Sequence, residues 1–303
     1  MTIQFFKRGI MLTAALTTIA ATAMAQETSF MDMRGKTALV TGSTSGLGAE
    51  VAQRLGAMGA TVIVHGRDAA RGAEIAAAID AAGPGRAVFY RADLGSLDDV
   101  AALAQRVREN HTALHLLVNN AGIGGASNAG RRESVDGYEL VFAVNYLSHF
   151  HLTRELLPLL EASAPARIVN VASIGQAPID FDDVMMQSDY NQLTAYSRSK
   201  LAQIMFTISL AEQLDADEVI VNSLHPATFM DTPMVTGAGR EPMSTVAEGA
   251  DAVMQLAVGT AISGRSGLYF NQLAQSQARV PQAADAQARQ RLWDLSISLI
   301  EDR

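Results

Sequence analysis

The chain contains no cysteine and has little positive charge. Without cysteine, disulfides, thiolate nucleophiles and cysteine-ligated metals are excluded from its 303 residues. Its 23 lysines and arginines stand against 31 aspartates and glutamates, which gives a formal net charge of −8. Nucleic-acid-binding proteins are usually basic, so no nucleic-acid partner is expected. A hydrophobic content of 49% predicts instead a substantial buried core.

The N-terminus differs from the rest of the chain. Lys7 and Arg8 precede an apolar run over residues 9–24, and Ala23-Met24-Ala25 has the form of a cleavage site. This layout is typical of a bacterial secretory signal peptide over residues 1–25, with Gln26 as the first mature residue. The run is short for a membrane anchor, so no stable membrane span is expected after processing. The protein would then be periplasmic or secreted. The alternative is a disordered or membrane-associated extension on a cytoplasmic protein.

A lysine-arginine pair stands where a twin-arginine signal would have two arginines, so the export route stays open.

After this leader, apolar β-rich runs alternate with alanine- and leucine-rich helical runs. Near-continuous apolar strands, each followed by a helix, predict a parallel sheet buried on both faces. No linker or internal repeat divides the chain, so residues 26–303 are predicted to form a single domain. Strands are predicted at residues 37–40, 61–65, 87–91, 114–119, 167–172, 219–224 and 267–270. After the first helix, which ends at residue 57, helices are predicted at residues 71–81, 97–109, 138–160, 193–214 and 283–300.

A glycine-rich turn, Thr41-Gly42-Ser43-Thr44-Ser45-Gly46-Leu47-Gly48, follows the first predicted strand and opens the first helix. Gly42 would permit the tight turn, Gly46 the approach of a diphosphate, and Gly48 close packing of helix on strand. The helix N-terminus would offer N–H groups and a positive dipole end to phosphates. This context predicts a doubly wound (Rossmann) α/β fold of about seven strands that binds a dinucleotide, and a plain βα turn is the alternative.

The end of the second strand reads His65-Gly66-Arg67-Asp68. NAD selection requires a carboxylate there to accept from the ribose 2′-hydroxyl, but Gly66 occupies the expected place of the acid. Arg67 offers a guanidinium suited to a 2′-phosphate. We therefore expect NADP, with NAD as the alternative. Asp68 is the competing feature, and its other interpretation is a cap for the following helix.

Tyr196 and Lys200 are four residues apart, so on a helix they share one face. An unaided phenol titrates near pH 10, and a neighbouring ammonium lowers that pKa towards the range that general acid–base catalysis needs. With the glycine turn, the pair predicts hydride chemistry on a carbonyl.

These motifs resemble the short-chain dehydrogenase/reductase family over essentially all of residues 34–303. The resemblance is carried by the glycine turn, Asp93-Leu94, Asn119-Asn120-Ala121-Gly122, Asn145, Ser173 and the Tyr196/Lys200 pair, in the family's order. It implies that Tyr196 exchanges a proton with the substrate oxygen while Ser173 orients that oxygen. It also implies that Lys200 tunes Tyr196 and holds the nicotinamide ribose. Asn145 would bend its helix and hold a relay water, and Asp93 would contact the adenine.

After the sixth strand, Pro226 is followed by Ala227 where the family usually has glycine, and Thr232 lies one place late. Both Thr228 and Thr232 are therefore candidates for the nicotinamide amide. The complete set of predicted cofactor-binding residues is Gly42, Ser43, Thr44, Ser45, Gly46, Leu47, Gly48, Arg67, Asp93, Leu94, Asn119, Ala121, Gly122, Tyr196, Lys200, Pro226 and Thr228.

The long spacing from Ser173 to Tyr196, with an insert at residues 179–183 and Tyr190, is similar to the retinol dehydrogenase and protochlorophyllide reductase-like branch. That similarity implies NADP and an apolar carbonyl or alcohol, and the family implies a homodimer or homotetramer. Methionines and a phenylalanine would either form an adaptable pocket wall or pack as ordinary loop residues. They are Met185, Met186, Phe229, Met230 and Met234.

Two interpretations of function remain. One is an NADP-dependent oxidoreductase, and the other is a cofactor-binding sensor on the same fold without turnover. His149 and His151 are two apart and would point to different faces of a helix, so no metal site is expected. The C-terminal helix is predicted to be a capping helix or a subunit contact.

Overall fold

The computed structural model of the protein describes residues 29–124 and 130–301, and the predicted signal peptide lies outside these ranges. From Ser29 onward, the backbone is hydrogen-bonded to the rest of the domain. The Thr260 N–H donates to the Ser29 carbonyl at 2.8 Å, and the Met31 N–H donates to the Val258 carbonyl at 2.8 Å. Over the described residues, none of the helices has both the length and the apolar character required to cross a membrane.

One sheet organises the described residues, and its strand order is β3-β2-β1-β4-β5-β6-β7-β8. All neighbouring strands are parallel except the last pair, which is antiparallel. The order reverses between β1 and β4, which is where doubly wound sheets bind ligands beyond the carboxyl ends of their strands. The strands are β1 (Thr37–Val40), β2 (Thr61–Gly66), β3 (Arg86–Arg91), β4 (Leu116–Asn119), β5 (Ala166–Val171), β6 (Val219–His225), β7 (Tyr269–Asn271) and β8 (Ala274–Ser276).

Helices cover both faces of this sheet, as predicted from the apolar strands. Alternate strand residues point to opposite faces, so Leu39 and Val40 enter different cores. One core packs the sheet against α3, α5 and α6, and the other packs it against α1, α2 and α8. The helices are α1 (Gly46–Ala57), α2 (Ala69–Ala82), α3 (Leu97–Asn110), α4 (Leu140–Phe142), α5 (Ser148–Ala162), α6 (Gln192–Ala211), α7 (Pro233–Thr236), α8 (Val246–Val258) and α9 (Ala286–Glu301).

The sheet has one strand more than the sequence predicts. β8 forms a hairpin with β7 through Gln272, whose φ is +55°, and all three of its residues are exposed. Ala274, Gln275 and Ser276 bury no side chain, so their sequence carries no apolar pattern that could reveal a strand.

The C-terminal helix α9 caps the outer side of α5 and α6. The ring of Trp293 lies 5.1 Å from that of Phe150 and 6.0 Å from that of Phe206, measured between centroids. Tyr146 and Ser296 join the same contact through their hydroxyl oxygens, 2.7 Å apart. The structure thus assigns α9 the capping role, one of the two interpretations of this segment.

Candidate active site

The glycine turn after β1 has the geometry expected of a tight turn. Gly42 and Gly46 adopt φ of +65° and +53°, a region that side chains rarely tolerate. A Cβ atom on Gly42 would lie 2.8 Å from the Ala121 Cα, and one on Gly48 would overlap the Gly42 carbonyl oxygen. Gly42 and Gly48 are therefore required by the close approach of neighbouring backbone.

Other residues of the turn hold it to the fold. The Ser43 hydroxyl donates to the Val40 carbonyl at 2.7 Å and accepts from the His65 N–H at 3.0 Å. Leu47 is buried in the core beneath α1, and Ser45 precedes that helix with extended backbone. Among the predicted cofactor-binding residues, Ser43 and Leu47 therefore also make contacts that stabilise the fold.

At the end of β2, Gly66 packs against the glycine turn and Arg67 is exposed to solvent. A Cβ atom on Gly66 would lie 2.8 Å from the Thr44 hydroxyl oxygen, so a larger residue cannot enter without moving Thr44. The side chain of Arg67 is 68% exposed, and its guanidinium lies 3.9 Å from the Asp93 carboxylate. Asp68 caps α2 by accepting from two backbone N–H groups, so the competing carboxylate is occupied as the capping interpretation expects.

The asparagine that ends β4 and the one that follows it have different surroundings. The Asn119 side chain is fully buried and donates to Thr153 and Asn170 inside the core. The Asn120 side chain instead donates to the Thr41 carbonyl at 2.8 Å, which ties β4 to the glycine turn. Of the two, Asn120 thus contacts the turn. Leu94 is likewise a core residue, buried to 4% exposure.

A π-helical turn at residues 143–147 interrupts the long helix that the sequence predicts at residues 138–160. The helix begins at residue 140 because the Glu139 carboxylate caps it, accepting from the Val141 and Phe142 N–H groups. Asn145 lies at the centre of the π turn. Its amide oxygen accepts from the Ile123 N–H at 2.7 Å, and its amide nitrogen donates to the Ser199 hydroxyl at 3.0 Å. Asn145 thereby joins the segment after β4 to α6.

Tyr196 and Lys200 lie on one face of α6, and the Lys200 Nζ is 5.6 Å from the centre of the Tyr196 ring. The Tyr196 hydroxyl hydrogen-bonds to that of Ser173, which follows β5. A Cβ atom on Gly122 would lie 3.6 Å from the Lys200 Nζ and 3.3 Å from the Asn145 amide oxygen. The structure therefore brings together all four residues predicted to be catalytic, beside the segment that follows β4.

The electrostatics of the pair differ from the sequence-based expectation. Burial raises the pKa of Tyr196 above its ordinary value, and the hydrogen bond from Ser173 opposes this only in part. Burial also lowers the pKa of Lys200 to about 7. The Lys200 ammonium donates to the Val171 carbonyl at 2.8 Å and to the Gln203 side chain at 2.9 Å. Desolvation thus outweighs the attraction between phenolate and ammonium that we expected to dominate.

Three supporting residues were missed in the sequence. Gln203 accepts from Lys200, and its position three residues on along α6 was the available signal. Tyr269 and Gln176 both donate to the Ser173 carbonyl, at 3.1 Å and 2.9 Å. Tyr269 comes from β7 at the far side of the sheet, so nothing in the local sequence pairs it with Ser173.

The two threonines after β6 lie in different places. The Thr228 hydroxyl is 3.0 Å from Nε2 of His225, the last residue of β6. The Thr232 methyl group lies beside the glycine turn, 3.1 Å from where a Cβ atom on Gly46 would be. Thr232 is therefore the one of the two that contacts the turn, and the buried Pro226 comes directly after β6.

Three of the methionines named as pocket candidates differ in their exposure to solvent and in their contacts. Met186 is buried in a small cluster that includes Tyr196, and Met185 accepts from the Glu139 N–H through its sulfur. Met234 is 39% exposed, and its sulfur would lie 3.5 Å from a Cβ atom on Gly124, a position that also borders the Tyr196 ring. Met186 and Met234 therefore lie close to Tyr196, one buried and one partly open to solvent.

This combination of doubly wound sheet, glycine turn and serine-tyrosine-lysine cluster defines a class of nucleotide-dependent oxidoreductases. The family model for short chain dehydrogenase matches residues 36–242. The chain belongs to the short-chain dehydrogenase family, which confirms the resemblance inferred from the motifs.

Individual relatives agree with the predicted branch. The chain is 37% identical over 289 residues to retinol dehydrogenase 14 of Mus musculus, covering 87% of this chain and 85% of that protein. A solved structure from Mycobacterium Paratuberculosis superposes with a TM-score of 0.73 at 30% identity, covering 90% of this chain and 96% of its own. A short chain dehydrogenase of Shigella flexneri complexed with NADP has a TM-score of 0.65 at 26% identity, covering 80% and 98%.

Proposed function

We propose that this protein is an NADP-dependent oxidoreductase that interconverts an alcohol and a carbonyl group, with Tyr196 as general acid and base. The observation that carries the proposal is the convergence of Tyr196, Ser173 and Lys200 at the carboxyl ends of the strands, beside the segment after β4 that packs against the glycine turn. A sensor without turnover would have no need of a buried lysine and a hydroxyl pair at that point.

The chain's own residues fit NADP. Backbone at Gly42 and Gly46 approaches the cleft without a Cβ atom, as a diphosphate requires. Thr44 packs against Gly66, so the position that holds an acid in NAD enzymes can take one only if Thr44 moves. Arg67 supplies an exposed guanidinium for a 2′-phosphate. The NADP found in the Shigella flexneri relative supports the same choice.

Proton transfer follows from the pKa directions. Because burial raises the pKa of Tyr196, its phenol stays protonated at neutral pH and can donate to a carbonyl oxygen. Ser173 would hold that oxygen against the phenol, with its own carbonyl fixed by Tyr269. NADPH, when bound, would supply the hydride. Lys200, whose pKa lies near 7, would return the proton and hold the nicotinamide ribose.

An apolar substrate of small to medium size suits the surroundings of Tyr196. Met186 and the half-buried Tyr190 pack around it, and Met234 borders it from the segment after β6. The Mus musculus relative named a retinol dehydrogenase supports an apolar alcohol or aldehyde. Flexible thioethers adapt to irregular apolar ligands, so the pocket would accept more than one compound.

Purified protein tests this proposal in two steps. Fluorescence titration should show tighter binding of NADPH than of NADH. NADPH oxidation should then follow the addition of apolar aldehydes such as retinal and straight-chain alkanals. Tight NADPH binding without oxidation by any aldehyde, and without NADP reduction by the matching alcohols, would favour the sensor instead.

A further inference from the structure

Two buried imidazoles lie beneath the first two residues of the glycine turn. His65, in β2, is 2% exposed, and His149, in α5, is 1% exposed. The Gly42 N–H donates to Nδ1 of His65 at 3.1 Å. The Thr41 hydroxyl lies 3.0 Å from Nε2 of His149. Consecutive residues of the turn are therefore each bonded to a ring nitrogen.

Nδ1 of His149 has two neighbours that bear on its tautomer. It lies 3.1 Å from the Asn145 carbonyl, which can only accept, and 3.4 Å from the Gln203 amide nitrogen. We assign the proton to Nδ1 on the shorter of these contacts, which leaves Nε2 as an acceptor.

The Thr41 hydroxyl already accepts from the Asn120 and Ala121 N–H groups at 2.9 Å each. Its own proton has two acceptors within reach, Nε2 of His149 at 3.0 Å and the Val118 carbonyl at 3.3 Å, and Nε2 is the nearer. Through this ring the π turn is connected to the glycine turn and to the end of β4.

The partners of His65 fix the opposite tautomer. A backbone N–H can only donate, so Nδ1 of His65 accepts from Gly42 and the proton resides on Nε2, a buried nitrogen that has no hydrogen-bond partner among the described residues. The backbone of His65 also exchanges two hydrogen bonds with Ser43, at 3.0 Å and 2.8 Å. The turn is thus joined to the end of β2 by both ring and backbone.

Both rings are held neutral. Burial lowers the pKa of His65 to about 4, although the nearby Asp93 opposes the shift. Burial lowers the pKa of His149 to about 3, and the charges of Lys200 and His65 act in the same direction. Neutrality matters here because a protonated ring has two donors and no acceptor, so it would lose its bond to the turn.

We propose that His65 and His149 are positioning residues for dinucleotide binding, which through their hydrogen bonds hold Thr41 and Gly42 in the geometry that presents the turn to the diphosphate. The inference rests on the proposed function, because it assigns the turn to NADP. Neither ring touches the reacting atoms, and their effect is on cofactor affinity.

The chain offers a matched control at the other end of β1. There Nδ1 of His115 accepts from the Thr37 N–H at 3.1 Å, the same bond at the same length as the one between His65 and Gly42. Replacing His115, which is partly buried, with Leu removes a bond of the same type from the first residue of β1, remote from the turn. Conservative variants are also available, since an Asn amide oxygen reaches the position of Nδ1 and a Gln amide oxygen that of Nε2.

NADPH titration of folded variants tests the assignment. His65→Leu and His149→Leu should each raise the Kd for NADPH by about tenfold, which is the effect of losing one hydrogen bond. His65→Asn and His149→Gln should stay within about threefold of the wild type. His115→Leu should bind NADPH as the wild type does, whatever its melting temperature. Wild-type affinity in both leucine variants, or equal weakening in His115→Leu, would overturn the inference while leaving the proposed function intact.

Nitrogen-15 NMR of the ring nitrogens in the wild-type chain provides a test that does not depend on the variants folding. At neutral pH the spectra should show an Nε2–H tautomer for His65 and an Nδ1–H tautomer for His149, both uncharged. Reversed tautomers or a charged ring would overturn the inference. A wild-type chain that has these tautomers but binds neither NADPH nor NADH would refute the proposed function, and the positioning role with it.

Discussion

At the scale of single residues, the site depends on which side chains are absent as much as on those present. Gly66 is the clearest case. The sequence predicts NADP because no acid follows β2, and the structure adds a steric reason, since Thr44 fills the space where that acid would stand. The sequence could not show this contact, because residues 44 and 66 meet only once the turn is folded onto β2.

Two substitutions should therefore be required to reverse the preference from NADPH to NADH. Gly66→Asp alone should weaken NADPH binding by about tenfold or more, because the carboxylate clashes with Thr44 and repels the 2′-phosphate. Combining it with Thr44→Ala should make NADH the tighter ligand, as measured by fluorescence titration of both cofactors. Ala81→Asp, which adds the same charge on the exposed side of α2, serves as the control. If the double variant still preferred NADPH, the steric argument would be wrong.

Lys200 should leave a signature in the pH dependence of stability. Its folded pKa of about 7 lies below the ordinary value of 10.5, so above pH 7 the unfolded chain binds more protons than the folded one. The free energy of unfolding should then rise with pH, by up to about 1.4 kcal/mol per unit between roughly pH 7 and pH 9. Urea titrations should show this rise in the wild type and in Lys36→Met, but not in Lys200→Met. Equal slopes in all three would contradict a buried, deprotonating lysine.

At the scale of elements, the apolar periodicity predicted most strands and helices to within a few residues. It did not predict α8, although that helix buries apolar residues, and it failed where hydrogen bonding decides the structure. The π turn around Asn145 depends on amide contacts to Ile123 and Ser199, which lie far apart in the chain. β8 buries nothing and therefore has no pattern. The four predicted catalytic residues were found because each has a fixed place in a family motif, whereas Gln203 and Tyr269 have no such place.

The attachment of α9 should depend on a buried hydroxyl pair. Ser296 and Tyr146 are both buried, and Ser296→Ala would leave the Tyr146 hydroxyl without its acceptor. That change should cost about 1–3 kcal/mol of the free energy of unfolding, measured with urea. The same change in a Tyr146→Phe background should cost less, because no buried donor is left unpaired. Ser298→Ala, on the half-buried side of α9, should change stability by less than about 0.5 kcal/mol. Equal costs in the two backgrounds would exclude a coupled pair.

At the scale of the whole molecule, a doubly wound sheet was predictable because the strands from β1 to β6 are largely apolar and each is followed by a helix. The family followed from the order of its motifs. Oligomeric state did not follow, and the homodimer or homotetramer implied by the family stays a prediction. The location of the protein is the other whole-molecule question, because a predicted signal peptide would direct a nicotinamide-dependent enzyme to a compartment without a free pool of that cofactor.

Mass measurement after cell fractionation addresses this location. We expect the periplasmic or secreted fraction to contain a chain that begins at Gln26, because Ala23-Met24-Ala25 has the small-x-small form that signal peptidases recognise. Bound NADP in that fraction would indicate export in the folded state. A chain that retains Met1 and stays with the cytoplasmic fraction would contradict the signal-peptide prediction.

The central claim is that the Tyr196 hydroxyl exchanges the proton that accompanies hydride transfer, and Tyr196→Phe tests it most directly. The substitution removes one oxygen atom and keeps the ring, so NADPH should bind within about threefold of the wild-type Kd. Turnover of an apolar aldehyde at saturating NADPH should fall by a factor of about 100 or more. Turnover within a few-fold of the wild type, with NADPH still bound, would contradict the account.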